Sequence, residues 1–213
     1  MGRAKTSFRR LEGVSAPEPL RVESVTIARG GVSLFAPASF TLAPGGFAAI
    51  TGPNGAGKTS LLRAIAGLIR VEAGAIRFGE APETRLHLLG HRDGLKGVLS
   101  VRAHALYWAG LLGGSPAAAE AALARVGLAC IADLPARALS QGQARRLALT
   151  RLLAAPRALW LLDEPAAALD ANGKALVSAL IAEHRAGGGM AVAALHEPLS
   201  ETPSETIVLE RAP

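Results

Sequence analysis

Eight consecutive residues, Gly52-Pro53-Asn54-Gly55-Ala56-Gly57-Lys58-Thr59, carry the most specific chemistry in this chain. They fit G-x-x-x-x-G-K-[ST], the Walker A phosphate-binding pattern. Three glycines let the backbone curl and turn its N–H groups inward, as an anion nest at a helix N-terminus. Lys58 supplies a point charge for β- and γ-phosphates, and Thr59 a hydroxyl for Mg²⁺. Ser60 continues the same phosphate-facing run. The context fits the chemistry. Phe47-Ala48-Ala49-Ile50 just before is an apolar run that reads as a buried strand, and Ser60 to Leu68 has apolar residues at helical spacing. A glycine-rich structural turn is the bland alternative, and Lys-Thr in register after a strand argues against it.

Further along, Ala158-Leu159-Trp160-Leu161-Leu162 runs into Asp163-Glu164-Pro165. A fully apolar strand suits a parallel sheet buried on both faces, and the C-terminal ends of such strands are where open α/β sheets place ligands. Asp163 is the candidate to hold Mg²⁺ through water. Glu164 is the candidate to accept a proton from an attacking water or to orient it. The bland role for this acidic pair is to cap a helix after Pro165. Leu139-Ser140-Gln141-Gly142-Gln143 opens an amphipathic run, so the Ser140 hydroxyl and the Gly142 N–H can both face an anion. Ser is also a common N-cap. His196 follows the apolar run Ala191–Leu195, where its imidazole can donate to a phosphate.

Taken in order, these motifs resemble those of ABC-type ATPases. Leu139 to Gln143 is similar to the L-S-x-G-Q signature, Leu159 to Glu164 to a Walker B strand, Ala168-Leu169-Asp170 to the D-loop and His196 to the switch histidine. The resemblance covers nearly the whole chain beyond its first twenty or so residues. It implies an α/β fold, a P-loop NTPase nucleotide-binding domain with an inserted helical subdomain. It also implies ATP and Mg²⁺ as cofactors and a homodimer, in which Ser140, Gly142 and Gln143 of one subunit close on ATP held by the other. Most relatives carry a glutamine after the short strand near Leu86; here His91 occupies that place, in Leu88-Leu89-Gly90-His91-Arg92-Asp93-Gly94-Leu95-Lys96. A contact of His91 to the γ-phosphate or to a Mg²⁺-bound water is expected, with a surface-loop histidine as the alternative. The adenine-stacking aromatic of many relatives is missing near Arg29, whose guanidinium plane can stack instead.

The Leu88–Lys96 run looks like that of the ATP-binding subunits of cytochrome c biogenesis haem export complexes. That resemblance implies a peripheral subunit at the cytoplasmic face of the inner membrane, docked on CcmB- and CcmC-type membrane subunits. Its ATP use would release a haem-loaded chaperone. No residue pattern reads haem directly. There is no C-x-x-C-H motif and only one cysteine, so no direct haem binding is expected. A motor for another exporter, an ATP-gated clamp on nucleic acid and a binding module without turnover remain as alternatives. Glu164 argues against the last.

Composition narrows the field. The 213 residues carry a formal charge of +6, yet aromatics are only 4%, too few to interleave basic residues with base-stacking rings. No nucleic-acid partner is expected. No apolar stretch approaches the ~18 residues of a membrane span, and the basic Met1–Arg10 lacks a following apolar segment. Residues 1–19 read as an extension and 20–213 as the nucleotide domain, with its helical part at about 98–140. Cys130 reads as a packed apolar residue. Strands are expected at Arg21–Ile27, Ser39–Leu42, Gly74–Phe78, Leu86–Leu89, from Met190 and at Thr206–Glu210. Helices are expected from Ser115-Pro116, over Gln141 to about Leu153 and over about Asn172–Arg185, the last stopped by Gly187-Gly188-Gly189.

Overall fold

The computed structural model describes residues 18–79 and 86–211. Of the expected extension at 1–19, all but Glu18 and Pro19 lies outside the described residues. The chain opens with β1 (Leu20–Thr26), a hairpin of two short strands β2 (Ala28–Arg29) and β3 (Val32–Ser33), then β4 (Ala38–Leu42) and β5 (Phe47–Thr51). After the phosphate loop come α1 (Lys58–Ile65), β6 (Ala73–Arg77) and β7 (Leu86–Leu89). Helices α2 (Val101–Leu112), α3 (Pro116–Arg125) and α4 (Gln141–Ala154) follow. The chain finishes with β8 (Leu159–Asp163), α5 (Ala171–Ala186), β9 (Met190–Ala194) and β10 (Glu205–Val208).

The central sheet is parallel, in the order β10-β5-β9-β8-β7. Every residue of β8 and β9 is buried, and in β5 only the terminal Thr51 is partly exposed. Side chains alternate between the two faces with the period of two that a strand imposes. Phe47, Ala49, Trp160, Leu162, Ala191 and Ala193 join one core, shared with residues of α2 to α5. Ala48, Ile50, Leu159, Leu161, Val192 and Ala194 join a second, shared with α1 and the antiparallel sheet β4-β1-β6. The Gly52–Thr59 loop thus follows, and Asp163 ends, a strand covered on both sides.

Local sequence explains the helix starts. Ser100 caps α2, Ser115 caps α3 with Pro116 in its first turn, and Asp170 caps α5 through the Gly173 N–H at 2.8 Å. Asp163 and Glu164 do not take the alternative capping role, because α5 begins only at Ala171 and is capped by Asp170. The stretch from Val98 to Leu134 divides into two α-helices and a 3₁₀ turn at Ala129–Ile131. Cys130 lies on that turn, none of whose residues is buried, and is exposed, not packed as expected. The β2–β3 hairpin was not expected. Gly30 and Gly31 both take positive φ, which a two-residue type I′ turn requires. No helix among the described residues is long and apolar enough to cross a membrane.

Candidate nucleotide site

The loop between β5 and α1 can only be built from glycine at its two tightest points. Gly52 has φ +135°, and a Cβ there would lie 2.4 Å from the Leu209 carbonyl oxygen. Gly57, the N-terminal residue flanking α1, has φ +95°, and its Cβ would meet the Phe35 ring at 2.6 Å. Such closeness forbids any side chain. Pro53, Asn54, Gly55 and Ala56 form the turn between them, and the Ala56 N–H donates to the Pro53 carbonyl at 3.2 Å. Arg211, from the far end of the chain, donates to the Asn54 carbonyl at 2.8 Å. Ser60 lies in the first turn of α1, half-buried.

Lys58 is bent back over its own loop. Its Nζ donates to the Gly52 carbonyl at 2.6 Å and to the Pro53 carbonyl at 3.2 Å, and the residue is buried. Thr59 Oγ1 lies 3.1 and 3.0 Å from the two carboxylate oxygens of Asp163, which sits at the buried end of β8. A hydroxyl and a carboxylate are therefore paired at the mouth of the loop. Beside them, Glu164 has φ +49°, a left-handed conformation for a residue with a side chain. Such strain costs on the order of 1–3 kcal/mol and persists where surroundings enforce it. The His196 Nε2 is 2.8 Å from Glu164 Oε1, and the His91 Nδ1 is 3.6 Å from Glu164 Oε2. His91 is the most exposed of the three.

The structure therefore brings Lys58, Thr59, Asp163, Glu164, His91 and His196 to one end of the parallel sheet. Among the described residues, Ser140, Gly142 and Gln143 make no hydrogen bond to the Gly52–Thr59 loop. Ser140 Oγ accepts the Gln143 N–H at 3.2 Å, while the Gln143 side chain accepts the Ser140 N–H at 2.9 Å. This reciprocal capping box leaves the Ser140 hydroxyl proton free to donate. Gly142 lies against the D-loop, where an added Cβ would be 3.1 Å from the Ala168 carbonyl oxygen. Asp170 of that loop pairs with Arg146 at 3.0 Å. Arg29 is exposed on the β2–β3 hairpin.

Two arginines were missed by the motif reading. Arg211 reaches the loop across 157 residues of chain, a distance no local pattern spans. Arg145 is 3% exposed, and its signal was present: it lies on the same helical stripe as the buried Ala148, Leu149 and Leu152.

Comparison with known proteins decides the family. A model of the ABC transporter family matches residues 35–167. A cytochrome c biogenesis ATP-binding export protein CcmA from Rhodopseudomonas palustris (strain HaA2) is 49% identical over 182 residues, spanning 83% of this chain and 91% of the relative. The CcmA of Rhodospirillum rubrum is 43% identical over 201 residues, covering 91% of this chain and 86% of its own length. The chain belongs to this CcmA family of ABC ATP-binding proteins. A solved structure of an ABC transporter ATP-binding protein from Pyrococcus furiosus shares the fold, with a TM-score of 0.80 at 24% identity over 90% of this chain and 98% of that one. A CcmA-family subunit binds ATP and is an ATPase.

Lys58 gives a direct test of the loop. Lys58→Ala removes an ammonium whose charge-assisted bonds are each worth roughly 1.5–3 kcal/mol, so nucleotide affinity falls about 10- to 100-fold. Titration with a fluorescent ATP analogue reads the change, and unaltered affinity would count against this loop as the phosphate site.

Proposed function

We propose that two copies of this chain hydrolyse Mg-ATP between them and so drive the release of a haem-loaded chaperone by CcmB- and CcmC-type membrane subunits during cytochrome c maturation. The observation that carries the catalytic part is the convergence of Thr59, Asp163, Glu164 and His196 at one sheet end. The donor set fits Mg²⁺. Among the described residues no group of three or more His, Cys, Asp or Glu could hold a metal by itself, and Mg²⁺ characteristically takes one or two protein oxygens and completes its shell with phosphates and water. When bound, the ion supplies charge neutralisation at the β- and γ-phosphates. Thr59 and Asp163 are the residues that would hold it.

The chain's own groups divide the remaining work. The loop N–H groups and Lys58 bind and orient the phosphates. Glu164 takes the proton of the attacking water at a carboxylate oxygen. His196 Nε2 now faces that carboxylate at 2.8 Å, and the same N–H can instead serve a phosphate oxygen. Exchange between these two acceptors would free the Glu164 oxygen for water when nucleotide is present. His91 stands on the other side of the carboxylate, placed to hold the water shell.

A shared-site dimer is supported by Ser140 and Gly142, which make no hydrogen bond to their own phosphate loop among the described residues. In the dimer they cover a nucleotide held on the loop of the partner copy. Docking on membrane subunits is supported by the exposed Val98, Leu106, Tyr107, Leu111 and Leu134, five of the eight large exposed apolar residues described, all in the helical region. Such a cluster marks an interaction face. It supports the reading of a peripheral subunit docked at the cytoplasmic face of the inner membrane.

Affinity capture of the full chain from its native membranes, with Mg-ATP and with EDTA, tests the assembly. Recovery of the haem-handling membrane subunits is the expected result. Recovery of a different permease would keep the ATPase chemistry and discard the haem role.

A further inference from the structure

The guanidinium of Arg145 is the most heavily engaged charged group of the described chain. It lies in the first turns of α4, and its side chain is 3% exposed. A guanidinium has five N–H donors, and here each faces an acceptor. Nε donates to the Pro165 carbonyl at 3.2 Å. One terminal nitrogen donates to the Gly90 carbonyl and to Asp93 Oδ1, both at 2.9 Å. The other donates to the carbonyls of Asp163 and Glu164, both at 2.7 Å.

Three of these acceptors are the consecutive carbonyls of residues 163, 164 and 165. They bracket the one residue of the site held at φ +49°. A strained backbone stays in place only when its surroundings over-determine it, and three directed hydrogen bonds from one rigid plane do so. The other arm ends on Gly90 and Asp93, on either side of His91. Asp93 is held a second time, since Arg151 donates to its carbonyl at 3.2 Å while its guanidinium lies 4.7 Å from the centre of the Trp108 ring. Trp108 belongs to α2. A continuous set of contacts therefore runs from α2 through Arg151, Asp93 and Arg145 to the main chain of Glu164.

We propose that Arg145 is a positioning residue for ATP hydrolysis. It sets the place of the Glu164 carboxylate and ties it to the Gly90–Asp93 loop, so that a movement of that loop reaches the base. This rests on the reading of Glu164 as the base. A packing role alone would not need charge, because an apolar side chain of similar volume fills a buried site at least as stably. Nor does lysine reproduce the geometry, having three donors on a flexible stem and no planar fork. A catalytic group misplaced by about 1 Å loses about 10²-fold in rate, so a loosened clamp is read in turnover before binding.

The experiment compares wild type, Arg145→Lys, Glu164→Gln and the double variant, each as the full chain with the subunits that co-purify from its native membranes. Steady-state and single-turnover ATP hydrolysis are measured beside nucleotide affinity. Arg145→Lys is expected to lower kcat by about tenfold or more while KM and nucleotide affinity stay within about twofold. In the Glu164→Gln background the same substitution is expected to change nothing, since a displaced base no longer matters once the base is gone. A wild-type kcat for Arg145→Lys overturns the proposal, as does an equal loss in both backgrounds or a parallel loss of nucleotide affinity. Should Arg145→Lys not fold, Asp93→Asn weakens the clamp from its partly exposed end. Its expected result is a kcat lowered about threefold at constant KM, and an unchanged kcat overturns the proposal. Glu164→Gln that hydrolyses like wild type would instead sink the reading of Glu164 as base. Glu164→Gln inactive beside a fully active Arg145→Lys sinks the positioning role alone.

Discussion

Glu164→Gln slows ATP hydrolysis by about 10²–10⁴-fold, the usual contribution of a general base, and leaves a nucleotide-bound dimer that does not come apart. The amide has the shape of the carboxylate, so the left-handed backbone at 164 and the contact to His196 persist. It has no basicity to take a proton from water. Binding depends on other groups, the loop N–H donors, Lys58 and the Thr59–Asp163 pair, and these are untouched. Bound ATP therefore stays intact and continues to hold two copies together. Size measurement with and without ATP, beside phosphate release, reads both halves of the expectation. A variant that remains monomeric with ATP and hydrolyses at the wild-type rate would remove both the base and the shared-site dimer.

Much of this site is legible in the sequence because its chemistry needs particular residues at fixed spacing. Gly52 and Gly57 are required where a Cβ would collide with Leu209 and Phe35, and Lys58-Thr59 follow at once. The apolar runs ending at Asp163 and before His196 were readable as strands because both faces are buried, so no polar alternation interrupts them. What escaped depends on contacts far apart in sequence or on segments too short to show a period. Strands β2 and β3 have two residues each, and only the glycine pair between them hinted at a turn. The exposure of Cys130 follows from a 3₁₀ turn whose packing no residue type announces. The helical stripe of Ala148, Leu149 and Leu152 marks Arg145 as inward-facing, but its acceptors, 18 to 55 residues away, are contacts that no local pattern gives. His87 and His184 escaped for the same reason.

Those two histidines make the protein acid-labile in a defined window. His184, on α5, stacks on Trp160 with ring centres 3.9 Å apart and planes 5° from parallel, and its Nε2 faces the Met190 carbonyl at 3.1 Å. Burial lowers its pKa to about 4, against the backbone hydrogen bond to Met190, with a further lowering from His87. His87, on β7, is held at 2.8 Å from the Ala155 carbonyl, and burial lowers it to about 4 as well, with Arg157 and Arg151 adding to the lowering. Both are neutral in the folded chain and titrate near 6.5 when unfolded. The unfolded state therefore binds more protons below that value, and stability falls as pH falls. The loss is absent above about pH 7, grows between 6.5 and 4, and saturates below. At pH 5 it is about 2 kcal/mol for each histidine, on the order of 4 kcal/mol together. Two carboxylates with lowered pKa act below this window, because their loss begins only where an unfolded carboxylate takes up its proton, near 4. Asp170, held down by the Gly173 N–H and Arg146, and Glu197, held down by Lys174, both titrate below the ordinary carboxylate range. Urea unfolding of the full chain from pH 8 to 5 should show a flat midpoint down to about 7 and a steep fall below 6.5. His184→Phe keeps the stacked ring without a titrating nitrogen, so it should remove about half of that slope. A wild-type midpoint that does not move between pH 7.5 and 5 would mean that neither imidazole is buried neutral against Trp160 and Ala155.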